Sequence, residues 1–141
     1  MKPSTKKLIE EELTGKIISA FFEVYNALGY GLLEILYGRA MEIALRRRGL
    51  RVDREFSIEV FFQGQQIGVQ RLDMPVEGRV VVEIKATSKL VDADRRQLMS
   101  DVTVANLPVG LLLHFGPRPS FQRVLGGRKP SRNGCDPTSS E

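Results

Sequence analysis

In the run Val80-Val81-Val82-Glu83-Ile84-Lys85, two opposite charges interrupt a string of β-branched residues. Side chains alternate along a strand, so Val80, Val82 and Ile84 share one face while Val81, Glu83 and Lys85 share the other. A carboxylate and an ammonium on the face of a central strand lose much of their hydration, a cost that a pairing, a metal or a water-filled cleft must offset. Taken alone, the two are explained equally well as a structural ion pair at a fraying strand end. Asp73, ten residues before Glu83 and across a single turn, can be brought opposite it. Two carboxylates converging beside a lysine suit a hard divalent cation. Mg2+ takes a few oxygen ligands and keeps several waters, so Asp73, Glu83, a backbone carbonyl near Ile84 and a phosphate oxygen would suffice. Lys85 could then orient or help deprotonate a metal-bound water, while the metal stabilises charge growing on a phosphate under attack.

The elements that must position these residues follow from hydrophobic period. Ile17, Ile18, Phe21, Val24, Tyr25 and Leu28 recur at spacings of three and four and mark a helix over 13–28, with Thr14 as its expected N-cap. Gly29-Tyr30-Gly31 ends it, and a second helix is expected to bury Leu33, Leu36, Tyr37, Ala40, Ile43 and Ala44 before Gly49. The period then changes to two: Val52, Phe56, Ile58, Val60 and Phe62 alternate with polar neighbours, and a turn at Gln63-Gly64-Gln65-Gln66 leads to a return strand over 67–74 that Pro75 should break. After a turn at Glu77-Gly78-Arg79, Val80 to Ala86 has the composition of a central strand covered on both faces. Asp92 to Ala105 reads as a third helix, Val109 to Phe115 as a buried strand and Phe121 to Leu125 as a short last one. The order predicts an α/β chain of α+β type, a mixed central sheet flanked by helices, with one domain over 1–125 and a disordered tail over 126–141 rich in Gly, Pro, Ser and Asn.

Composition narrows the chemistry. The chain has 141 residues, 42% hydrophobic and 27% charged, enough for one core. Its apolar runs are far shorter than the roughly 20 residues that cross a bilayer, and the basic N-terminus runs into Glu10, Glu11 and Glu12 without the apolar region of a secretory signal. A cytoplasmic location is therefore expected. One cysteine and one histidine exclude a disulfide framework and a zinc site of Cys or His ligands. His114, set among apolar residues of a strand, reads as a hydrogen-bonded structural residue. A net charge of +4 fits an anionic partner without requiring one. Arg46, Arg47, Arg48, Arg51 and Arg54, with Lys89, Arg95 and Arg96, could contact phosphates or simply form a solvated helix end and loops.

Asp73 with Glu83-Ile84-Lys85 resembles the D…(D/E)xK signature of the PD-(D/E)xK phosphodiesterases. Gly31-Leu32-Leu33-Glu34-Ile35-Leu36-Tyr37 is similar to the GxxExxY motif of a small bacterial family placed in that superfamily, and the likeness extends from about Leu13 to Leu125 through Arg71-Leu72-Asp73, Gln97-Leu98 and the segment from Leu107 to Leu112. The resemblance implies a restriction-endonuclease-like core and a Mg2+- or Mn2+-dependent nuclease acting on DNA or RNA, with Asp73, Glu83 and Glu34 at the metal and Lys85, Glu34 and Gln97 in catalysis. Tyr37, three residues from Glu34 on one helix face, could hold that acid or a phosphate, and Arg71 is a second candidate for substrate binding. Glu34 could equally favour the helix dipole and Tyr37 be a core aromatic. The chain departs from the family at Asp101, where an aromatic is usual, and at Tyr30, where proline is. Alternatives are a catalytically inactive nuclease fold that binds nucleic acid or a protein partner, and a homodimer packed through Phe21-Phe22.

Overall fold

The computed structural model describes residues 9–53 and 56–126; Arg54 and the expected tail beyond Gly126 lie outside them. Helix α1, Glu11–Leu28, buries Leu13, Ile17, Ala20, Phe21 and Val24. Thr14 is not its N-cap. It lies one turn inside, where its hydroxyl donates back to the carbonyls of Glu10 and Glu11 at 3.0 and 3.2 Å, and Glu10 takes the cap position in a left-handed conformation. Gly29 ends the helix at φ 73°, a conformation that glycine alone adopts without a steric cost.

Helix α2, Glu34–Arg47, buries Tyr37 and Ala44 as expected but is turned partway about its axis from the expected orientation. Tyr37, Gly38, Met41, Ala44 and Leu45 face the core, whereas Leu33, Leu36 and Ile43 are 70%, 47% and 52% exposed. Two apolar stripes overlap on this helix, and Tyr37 selects between them. Its ring stacks on Phe115 with centroids 4.1 Å apart and planes 17° from parallel. Its hydroxyl donates to the Gly29 carbonyl at 2.5 Å and accepts from the Leu32 amide at 3.2 Å.

The strands form two sheets. β1, Phe56–Phe62, and β2, Gln65–Leu72, pair as an antiparallel hairpin around Gln63-Gly64. β3, Met74–Val76, β4, Val80–Lys85, β5, Val109–Phe115, and β6, Pro119–Leu125, make a mixed four-stranded sheet in that order, with β4 and β5 parallel and the other pairs antiparallel. Pro75 therefore does not break a strand. The chain leaves the hairpin at Asp73 and enters the second sheet through β3, whose position at the sheet margin tolerates a residue without an amide proton; the Pro75 carbonyl accepts from the Asp53 amide at 3.1 Å.

Helix α3, Asp92–Ala105, joins the two parallel strands. Val80, Val82 and Ile84 pack with Ile17, Phe21, Tyr37 and Met41, while Val81 packs with Leu98, Val102, Leu112 and Val124. β4 is thus covered on both faces, as its composition predicts. Gly110 permits the close approach of α3, since a Cβ there would lie 2.5 Å from Cγ2 of Val102. No described helix is long and apolar enough to cross a membrane.

Candidate functional site

The β3–β4 register pairs Met74 with Val82, Pro75 with Val81 and Val76 with Val80. The ladder ends at Met74 and Val82, one residue short of Asp73 and Glu83, and the chain bends toward the hairpin at Asp73. Glu83 is 2% exposed, and its Oε2 has no hydrogen-bond partner among the described residues. An ionisable oxygen left in that state inside a protein is costly and calls for a counter-charge or a ligand. Lys85, two residues on, is half-buried and lies 4.0 Å from Oδ1 of Asp94. The other oxygen of Asp94 accepts from the Val91 amide at 2.9 Å and so caps the start of α3. Asp94 was legible in the sequence only as an acid favouring the helix dipole; its link to Lys85 depends on where the β4–α3 loop returns.

Glu34, the first residue of α2, comes from the opposite layer. With Ile35, Gly38, Asp73, Met74 and Ile84 it lines a cleft of about 320 Å³. The side chain is exposed overall, but loss of water around its carboxyl raises the pKa above the ordinary 4.5; Lys85 opposes the rise, and repulsion from Asp73 and Asp94 adds to it. Glu34, Asp73, Lys85 and Asp94 therefore share one electrostatic environment. No three His, Cys, Asp or Glu side chains among the described residues are gathered as a ready cage for an ion. The donors instead fit a cation held by few protein ligands, since carboxylates are hard oxygen donors: Glu34 and Asp73 line the open cleft with Ile84, while the orphaned oxygen of Glu83 lies buried on the other face of β4.

A sequence profile described as the PD-(D/E)XK nuclease superfamily matches residues 11–124, most of the chain. The chain belongs to the PD-(D/E)XK nuclease superfamily. That membership agrees with the mixed sheet and its flanking helices, and it marks a family whose members generally use divalent metals and act on nucleic acid. Among solved structures, one described as the crystal structure of SSO0001 is similar with a TM-score of 0.54 at 17% identity, over 85% of this chain and 61% of that one. At that identity the likeness concerns the fold, and this chain spans under two thirds of the other's length. No curated protein matches.

The remaining positions singled out on the PD-(D/E)XK pattern are placed unevenly. Tyr37 is fully buried and its hydroxyl is committed to Gly29 and Leu32, so it shapes the loop that precedes the acid. Gln97 is exposed on α3. The backbone of Arg71 lies in β2 opposite Ser57. Asp101 is buried on α3 alongside Leu98 and Val102, so an acid occupies a packed position there. His114 lies opposite Lys85 on β5, and its Nε2–H donates to the Thr87 carbonyl at 2.7 Å, in keeping with a structural role. Arg46 donates to the Val52 carbonyl and pairs with Glu42, and Arg48 pairs with Glu23. Those two arginines serve the fold. Phe21 is buried, and Phe22 meets Phe121 edge to face at 6.3 Å, so the aromatic pair of α1 does not form a free docking face.

Proposed function

We propose that this protein is a Mg2+- or Mn2+-dependent phosphodiesterase that cleaves nucleic acid, and that it falls in the GxxExxY group of the superfamily through Gly31, Glu34 and Tyr37. The observation that carries this reading is the buried Glu83 oxygen without a hydrogen-bond partner among the described residues, two residues from Lys85 and one residue beyond the ladder that Asp73 precedes. Asp73 and Glu83 would hold the cation, with Glu34 as a further acid at its edge. When bound, such a cation stabilises the charge that develops on a phosphoryl oxygen. Lys85 orients the attacking water and offsets negative charge near the phosphate. Glu34, whose pKa is raised, is suited to accept a proton from that water, because a base works best when its pKa approaches the working pH. Gln97 and Arg71 are candidates for steadying the site and the substrate. The work of such an enzyme is in the cytoplasm.

The test is to incubate the purified protein with plasmid, single-stranded DNA and RNA, with Mg2+, with Mn2+ and with chelator, beside a Lys85→Ala variant. Cleavage is expected that needs the metal and is lost in the variant. Equal inactivity of both proteins on every substrate would reject the enzyme and leave a nucleic-acid- or protein-binding module.

A further inference from the structure

In the first turn of α3, Asp92, Arg95 and Arg96 are exposed, whereas Asp94 is half-buried. Two bonds tie it to Val91: its amide donates to the Val91 carbonyl at 2.9 Å, and its Oδ2 accepts from the Val91 amide at 2.9 Å. An acid that reaches back in this way to the residue capping its own helix has little rotational freedom left. Its other oxygen, Oδ1, is the one that faces Lys85. Packing brings the two together. Leu98, four residues after Asp94 on the same side of α3, lies with Val102 against Val81, and Lys85 follows Val81 by four on the same face of β4.

The length of this contact sets it apart from the ion pairs that serve the fold. Arg48 meets Glu23 at 2.7 Å and Arg46 meets Glu42 at 3.0 Å, both at hydrogen-bond length. Nζ of Lys85 stands 4.0 Å from Oδ1 of Asp94, so attraction holds the ammonium while its three N–H donors stay free of that acid. A partly exposed pair at this distance adds little to stability. It does restrict a charge that sits on a flexible four-carbon stem. A group that must orient a water or a phosphate oxygen needs that combination, a fixed position with donors still available. The carboxyl of Glu34 feels both charges, so the pair lies within reach of the acidic cleft.

We propose that Asp94 is a positioning residue, whose charge holds the Lys85 ammonium in place for the attacking water or the phosphate oxygen. The proposal rests on the phosphodiesterase reading. It gives that site a member that touches neither cation nor substrate and acts through Lys85 alone.

Asp94→Asn separates this role from capping, because an amide oxygen still accepts from the Val91 amide but carries no charge. Asp94→Glu keeps both the charge and an oxygen able to reach back to Val91. On a nucleic acid that the native protein cleaves, kcat of the asparagine variant should fall roughly tenfold to a hundredfold. Its KM should stay level or drop, since one charge that repels phosphate is gone, and its urea midpoint should change little. The glutamate variant should recover most of kcat. In chelator, fluorescence anisotropy should show the asparagine variant binding the uncut oligonucleotide at least as tightly as the native protein. A native kcat in Asp94→Asn overturns the proposal, as does a fall that its lost stability accounts for or that Asp94→Glu shares equally. A rise in kcat also overturns it, because Asp94 would then be withholding Lys85. Native protein that cleaves nothing rejects the phosphodiesterase reading itself, and this proposal with it.

Discussion

Glu83 and Glu34 are acids held in opposite ways, and each gives a measurement at the scale of a single residue. Glu83 is buried with an oxygen that has no hydrogen-bond partner among the described residues, and leaving such a group unsatisfied costs about 1–3 kcal/mol. Glu83→Met should therefore raise stability toward urea by about that much in the presence of chelator. The same variant should lose the rise in Tm that Mg2+ or Mn2+ gives the native protein, a gain of about 2.7 kcal/mol when the ion is at a hundred times its Kd. A variant less stable than the native protein in chelator would show that Glu83 has a partner in the fold. Glu34 has a raised pKa, so folding favours its neutral form. That favourable contribution is complete below the ordinary value of 4.5 and is lost as pH rises through the raised value. Without divalent cations, Glu34→Gln should match the native Tm at acid pH and exceed it increasingly as pH rises, then level off. Scanning calorimetry across that range would sink the idea if the difference stayed flat or changed sign.

At the scale of an element, α2 depends on a single aromatic. Tyr37→Phe keeps the stack on Phe115 but removes hydrogen bonds to Gly29 and Leu32, a loss of about 1–3 kcal/mol in chemical denaturation. If the loop they fix also sets Glu34, metal-dependent cleavage should fall by more than the unfolded fraction explains; cleavage unchanged in a destabilised variant would separate the two. The sequence made β4 readable because its period of two and its β-branched residues place Glu83 and Lys85 together before any partner strand is known. It made α2 readable only in part: Tyr37 and Ala44 face the core as expected, but Leu33, Leu36 and Ile43 obey the same helical spacing and are exposed, while Met41 and Leu45 take their place. Contacts with residues far along the chain, among them the stack of Tyr37 on Phe115, decide which side turns inward. The Pro75 reading failed for a similar reason: a break in one ladder became the entrance to another. Likewise, the pairing of Lys85 with Asp94 depends on the path of a loop, which has no periodic signal.

On the scale of the whole molecule, the candidate site draws on parts of unequal security. Glu83 and Lys85 are carried by β4, paired on both edges and covered on both faces. Asp73 sits at the bend between two sheets, and Glu34 at the first turn of a helix whose start has no side-chain cap. Proteins open piecewise, and segments with few buried contacts open at much lower free energy than the core. Amide hydrogen exchange should accordingly be slowest in β4 and β5 and much faster around Asp73 and from Leu32 to Ile35. Mild urea should then abolish cation binding before the circular dichroism changes, because the acids part while the strand between them holds. Protection that is uniform across these segments would contradict this. The doubly covered strand is thus a fixed anvil, and capture of an ion would consist of drawing two looser carboxylates down onto it.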